Sequence, residues 1–298
     1  MSIFTTTGWE AVGQHRQLCD HDIFTIDAPS LGPEVHEPLL ILHGFPTSSF
    51  DYVAVLDGLR AGRRVLLLDG LGYGLSSKPD IKYTMALQAD VAAAYVDVLG
   101  LDRIALLTHD MGDTVGGELL ARRADALWSV EVSRRVVTNG SIYIAQARLT
   151  DGQQLLLSLP DAKLEPTKMI NSDSMTQSLR DTFSRHTALA APGSADDPLA
   201  PMVEQVFHND GHLILPRLIR YIEERRQHER RFTGAIEADP SPLHIVWGLD
   251  DPIAVPSMVN TLVAARPDAT AVRLDNVGHY PMVESPERFL DAVLPALT

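Results

Sequence analysis

Four consecutive apolar residues, Ile104 to Leu107, stop abruptly at Thr108-His109-Asp110-Met111-Gly112, and a helix-compatible segment follows at once. An unbroken apolar run is the mark of a strand covered on both faces. So abrupt a change from strand to helix needs a sharp turn, with Asp110 at its corner. Small residues flank the corner, because a strained turn leaves no room for larger side chains. The outline is small-x-nucleophile-x-small, with a carboxylate in the central place. Taken alone, Asp110 carries two readings. It is a carboxylate that attacks carbon, or it caps the helix that follows.

Two similar runs precede the corner: Leu39 to Leu42, ending at His43-Gly44, and Val65 to Leu68, ending at Asp69-Gly70. Leu87, Val91, Ala94, Tyr95 and Val98 then share one face at helical spacing. After the corner, Gly112 to Arg123 reads as helix and Arg135 to Thr138 as the start of a strand. This alternation predicts an open α/β sheet, mostly parallel. Upstream, Trp9 to Val12 and Ile23 to Ile26 predict a short antiparallel start, with a loop at Pro29, Gly32 and Pro33.

From Ser141 to about Phe232 strand-type runs become scarce, and Pro192, Gly193 and Ser194 interrupt the pattern. Helices are predicted around Gln153 to Leu159 and from Leu215 to Arg231, the second with Pro216 in its first turn. The alternation resumes with a strand at Leu243 to Trp247, a helix at Val255 to Ala265, a strand at Thr270 to Leu274 and a helix at Pro286 to Leu297. The expected organisation is a core of residues 1–140 and 233–298 with a helical insertion, 141–232, placed over the sheet.

Composition narrows the partners. A net charge of −14 over 298 residues argues against nucleic acid, whose phosphates need a basic face. No run approaches the ~18 apolar residues of a membrane span. The single cysteine, Cys19, forms no intrachain disulfide, and Met1 to Thr7 lacks the apolar stretch of a signal peptide. A cytoplasmic protein with no membrane partner is expected.

Chemistry-bearing residues gather at predicted strand ends, where ligands bind in open α/β sheets. The last strand is followed by Asn276-Val277-Gly278-His279-Tyr280-Pro281, which puts His279 where a general base belongs. The strand before it ends in Gly248-Leu249-Asp250-Asp251-Pro252, a source of a carboxylate to orient the imidazole. His43-Gly44-Phe45-Pro46 follows the earliest buried strand, and the Phe45 N–H could pair with the Met111 N–H as an oxyanion hole. His43 is either a group facing the substrate or a buried residue that shapes this loop. Asp113 is either a second charge near the site or a first-turn carboxylate favoured by the helix dipole. Asp69 to Ser76 is glycine-rich but lacks a phosphate-binding lysine and dinucleotide spacing, so it reads as a structural turn.

Together the segments LHGFPTSSFDY, DGLGYGLSSKP, LLTHDMGD, GLDDP and VGHYPMVESPE resemble, in order, the epoxide hydrolase and haloalkane dehalogenase group of α/β-hydrolases. The resemblance runs from Leu39 to the C-terminal helix. Within that group the pattern is similar to the mesoderm-specific transcript proteins, in the elbow and in Asn209-Asp210-Gly211 followed by a Tyr- and Arg-rich helix. It implies an eight-stranded, mostly parallel sheet with helices on both faces and an inserted helical cap. It also implies Asp110 as nucleophile, His279 as base and Asp251, rather than Asp250, as the acid that holds the imidazole. A small apolar electrophile and water would be the partners, with no cofactor and no metal. Met111 follows the nucleophile where dehalogenases carry tryptophan, and Phe45 stands where asparagine is common; neither side chain donates a hydrogen bond to halide. Tyr221 resembles the cap tyrosine that protonates an epoxide oxygen. A second donor is not evident; Tyr143, His186 and His208 are the candidates. The expected activity is epoxide hydrolysis, with dehalogenation by the same machinery, or ligand binding without turnover, as alternatives.

Overall fold

The computed structural model describes residues 2–165, 170–190, 194 and 197–298. Pro192 and Gly193 lie outside this set. Eight strands form one sheet: β1 (Gln14–Leu18), β2 (His21–Ala28), β3 (Leu39–Leu42), β4 (Val65–Leu68), β5 (Arg103–His109), β6 (Glu131–Thr138), β7 (Leu243–Gly248) and β8 (Thr270–Leu274). Their spatial order is β1-β2-β4-β3-β5-β6-β7-β8. The pairs β1/β2 and β2/β4 are antiparallel and all others parallel. Every residue of β3 and β4 is buried. Since successive side chains point to opposite faces, both faces of the central sheet are covered, which is why these strands read as unbroken apolar runs.

The helices are α1 (Thr6–Glu10), α2 (Leu56–Leu59), α3 (Met85–Val98), α4 (Met111–Ala124), α5 (Asp151–Ser158), α6 (Ser172–Arg180), α7 (Leu199–Phe207), α8 (Leu215–Leu218), α9 (Tyr221–Ala238), α10 (Ser257–Ala265), α11 (Pro281–Glu284) and α12 (Pro286–Val293). Caps mark their starts: the Thr84 hydroxyl accepts from Leu87 N–H ahead of α3, and Thr150 with Gln153 forms a capping box at α5. Between β6 and β7 the described residues build helices α5 to α9 and no strand of the sheet.

Two local expectations change. Trp9 belongs to a short helix capped by Thr5, not to a strand. The partner of β2 is the polar stretch Gln14–Leu18, joined to it through Cys19 and Asp20, both with positive φ (51° and 63°). β1 is an edge strand with three of its five residues exposed, so no apolar run announces it. The expected single helix from Leu215 to Arg231 is two, α8 and α9. The second continues through residue 232 to Ala238, with a kink at His228.

Candidate active site

The turn after β5 has the form its sequence demands. Asp110 sits at φ 50°, ψ −113°, a backbone conformation that L residues rarely adopt, and its side chain caps no helix N–H. The neighbours are small for a measurable reason. A Cβ on Gly112 would lie 2.3 Å from the Leu42 carbonyl oxygen, and one on Gly44 would lie 2.7 Å from the Asp110 Cβ. The ends of β3 and β5 therefore approach closely enough for Phe45 N–H to donate to Asp110 Oδ2 at 2.9 Å. Asp110 Oδ1 is buried and has no partner among the described residues. The Met111 N–H opens α4, one of the helix-start donors that no helix carbonyl serves.

His279 and Asp251 meet from the ends of β8 and β7. Nδ1 of the imidazole is 2.8 Å from Asp251 Oδ2, with both side chains buried. Asp251 Oδ1 accepts from Ile253 N–H (2.7 Å) and Ala254 N–H (2.9 Å), and Asn139 Nδ2 donates to Oδ2 at 2.7 Å. Burial pulls the imidazole down, but attraction to Asp251, the hydrogen bond and the Asp110 charge outweigh it, and His279 is raised to about 9. Asp250 is exposed and accepts instead from the Ser184 hydroxyl at 2.5 Å.

Three residues that position this group carried little sequence signal. Asn139, just past β6 at φ 46°, holds Asp251 and also accepts from Gly248 N–H at 3.0 Å. Glu284 gathers the histidine loop, accepting from Gly278 N–H and Tyr280 N–H at 2.9 Å each. His109 Nε2 is 2.8 Å from the His279 carbonyl oxygen, and burial pushes its imidazole down to about 4, so it stays neutral and donates there. Asparagine ending a strand was the one visible hint, since it adopts positive φ more easily than most residues.

His43 and Tyr143 do not face this centre. His43 Nδ1 donates to the Gly44 carbonyl (2.8 Å) and Nε2 accepts from Gly70 N–H (2.9 Å), which commits both ring nitrogens and leaves none for a substrate. The Tyr143 hydroxyl donates to Glu237 Oε1 at 3.0 Å. His186 and His208 line neither the cavity at His279 nor the smaller one beside Tyr221. The Asp69–Ser76 turn is occupied with itself: Asp69 Oδ1 accepts from Ser49 and Oδ2 from Leu75 N–H. Asp113 is buried and accepts from the Thr108 hydroxyl; burial pushes its carboxyl well above the usual carboxylate range.

Tyr221 is buried with its ring 5.7 Å from Phe45, and its hydroxyl makes no hydrogen bond among the described residues. Burial, with the Asp110 charge added, raises the phenol, which keeps it protonated as a donor. A cavity of about 120 Å³ lies against Phe45, Pro46, His279 and Tyr280. Leu156, Met175, Leu179 and Leu215 also line it, beside the polar Gln153, Ser178 and Thr182. A cavity of roughly 150 Å³ takes one benzene ring, so a small apolar molecule fits.

Fold and motifs together define a hydrolase, and the comparisons agree. The chain belongs to the alpha/beta hydrolase family, whose model matches residues 39–292. It is 38% identical to a putative hydrolase, LipZ, of Mycobacterium tuberculosis over 89% of this chain and 90% of that protein. It is 32% identical to the human mesoderm-specific transcript homolog protein, over 96% of this chain and 86% of that one. Haloalkane dehalogenase 2 of Mycobacterium bovis is similar at 25% identity, over 86% of each chain. Among solved structures, wild-type Cfl2 from Burkholderia cenocepacia superposes with a TM-score of 0.76 at 18% identity, covering 96% of this chain and 95% of that one. Among the described residues no helix is long and apolar enough to cross a membrane.

Proposed function

We propose that this hydrolase opens epoxides to diols through an ester on Asp110, beneath a cap formed by residues 141–232. The observation that carries the reading is the state of Asp110. One carboxylate oxygen is held by Phe45 N–H while the other is buried without a partner among the described residues, beside a histidine already oriented by Asp251. A carboxylate is a poor attacker of carbonyls but suits displacement at saturated carbon. Oδ1 attacks an epoxide carbon, the ring C–O bond breaks, and the freed oxygen takes the Tyr221 hydroxyl proton. The His279 imidazolium re-protonates the Tyr221 phenolate, and the neutral imidazole then takes a proton from water, whose oxygen adds to the Asp110 carbonyl carbon. The Phe45 and Met111 N–H groups stabilise the resulting oxyanion. Collapse, with the added water's remaining proton passing to the departing alkoxide, releases the diol and restores the carboxylate, and His279 is left protonated as at rest.

Halide is the less favoured leaving group, because its usual indole donor is missing. Trp9 Nε1 donates to Ser49 Oγ and Trp247 Nε1 to the Ala254 carbonyl, and none of the three tryptophans lines the cavity. The test is incubation with styrene-type and aliphatic epoxides, scored for diol, beside haloalkanes scored for halide. Halide release without diol would sink the epoxide reading. Asp110→Asn should abolish ester formation, and His279→Gln should let the ester accumulate as added mass on the protein. Unchanged turnover in Asp110→Asn would remove the nucleophile assignment.

A further inference from the structure

Beside Tyr221 lies a second, smaller cavity of about 40 Å³. It shares Gln153 and Ile253 with the cavity at His279, so the two spaces adjoin. Among the described residues its lining includes three arginines, Arg148, Arg225 and Arg226, and no acidic residue. Arg148 and Arg226 are exposed, whereas Arg225 is only 2% exposed, with its guanidinium 4.9 Å above the Tyr221 ring.

Arg225 is incompletely used. Nε donates to Thr114 Oγ1 at 2.9 Å and Nη1 to the Ser141 carbonyl at 2.8 Å. Nη2 is buried without a partner among the described residues, and so is the hydroxyl of Ser141, which lines the same cavity. Among the described residues Arg225 makes no ion pair within 4.0 Å, although a buried charge without a counter-charge is costly. Asp113 feels the guanidinium, and burial pushes its carboxyl up, but among the described residues no hydrogen bond or ion pair within 4.0 Å joins the two.

We propose that this cavity is a carboxylate subsite, and that the compound processed at Asp110 carries a carboxylate held by Arg225 Nη2 and Ser141 Oγ. The clause about processing rests on the epoxide reading above; the subsite itself does not. Guanidinium is the side chain best matched to a carboxylate, by planar, charge-assisted hydrogen bonds. At about 40 Å³, against the ~10–15 Å³ that one water needs, the cavity has room for a carboxylate group. The carboxylate would then anchor one end of the substrate while its apolar chain lies toward Phe45 and His279.

The probes are hexanoate and hexanamide, equal in length and different in charge, with the corresponding epoxyhexanoate and epoxyhexanamide as substrates. Calorimetry should show hexanoate binding roughly tenfold or more tightly than the amide. Asp110→Asn should keep that preference and Arg225→Met should lose it. If Arg225→Met does not fold, the double variant Arg148→Met/Arg226→Met, at exposed positions, should weaken hexanoate several-fold and leave hexanamide unaffected. Equal binding of the two probes to the wild type overturns the proposal. So does a crystal soaked in hexanoate whose density puts only water against Arg225. Turnover separates the two claims. Hexanoate preference without consumption of either epoxide leaves the subsite standing and removes the epoxide reading. Consumption of both epoxides at equal kcat/KM does the reverse.

Discussion

His279 illustrates how much a single residue's surroundings decide. Raised to about 9 by Asp251 and Asp110, the resting imidazole is protonated at neutral pH and cannot accept a proton from water. On the proposed mechanism an ester on Asp110 would remove one of the charges that raise it, so the base would be released only once there is an ester to hydrolyse. In single-turnover experiments, ester decay followed by mass should accelerate with rising pH, with an apparent pKa below that of the resting enzyme. An apparent pKa above about 9 would contradict this coupling. The same shift affects stability. The folded value lies above the ordinary 6.5, so the contribution is full below that pH and is lost as pH rises through about 9. The melting-temperature difference between wild type and His279→Gln should therefore shrink over that interval. The pairing of His279 with Asp251 was legible because each follows a strand, in the chain order expected of nucleophile, acid and base. Asn139 and Glu284 were not, because an amide or a carboxylate in a loop looks the same whether it braces a catalytic group or faces water.

Elements meet at this site through glycines. At Gly112 an added Cβ would press on the main chain of β3, and at Gly117 it would lie 2.7 Å from the Phe232 carbonyl oxygen of α9. Gly112→Ala should therefore push α4 from β3, move Asp110 relative to Phe45 N–H, and lower both stability and kcat. Urea unfolding should show a loss of ~1–3 kcal/mol, the usual cost of overpacking. Gly152, in α5, is the contrast, since its nearest neighbour would be 3.4 Å away. There alanine should be neutral or stabilising by up to ~1 kcal/mol from helix propensity alone. A destabilised Gly152→Ala beside an unaffected Gly112→Ala would reverse the packing argument. Strands β3, β4 and β8 were legible to the residue, because burial on both faces or a well-marked turn sets their ends. The β1–β2 hairpin was misplaced because its edge strand is polar, and α9 was read short because its charged surface hides where the helix stops.

On the scale of the molecule, Arg135 fastens the return of the 141–232 segment to the sheet. Nearly fully buried in β6, it donates to the Ile236 carbonyl and the Asp239 carbonyl at 2.9 Å each and to Ser241 Oγ at 2.8 Å. Arg135→Met would keep the bulk and strand the Ile236 carbonyl, while the Asp239 carbonyl would keep only its bond from Arg266. Its expected cost is ~3–5 kcal/mol, the usual effect of removing one partner from a buried charged network, measurable by denaturant unfolding. A loss within ~0.5 kcal/mol, typical of a surface change, would show that the segment is held elsewhere. By itself the sequence determined the parallel sheet, the sharp turn at Asp110 and the order of the three candidate catalytic groups. Those depend on unbroken apolar runs and on turn residues that stand next to one another in the chain. Only the tertiary structure decided that Tyr221 and not Tyr143 lies beside Phe45, that His43 is spent on its own loop, and that Arg225 is left with a free donor. The places of Tyr221 and Arg225 follow from the packing of α9 against α4, and that of His43 from the approach of the loops after β3 and β4, contacts between residues apart in the chain that no local pattern encodes.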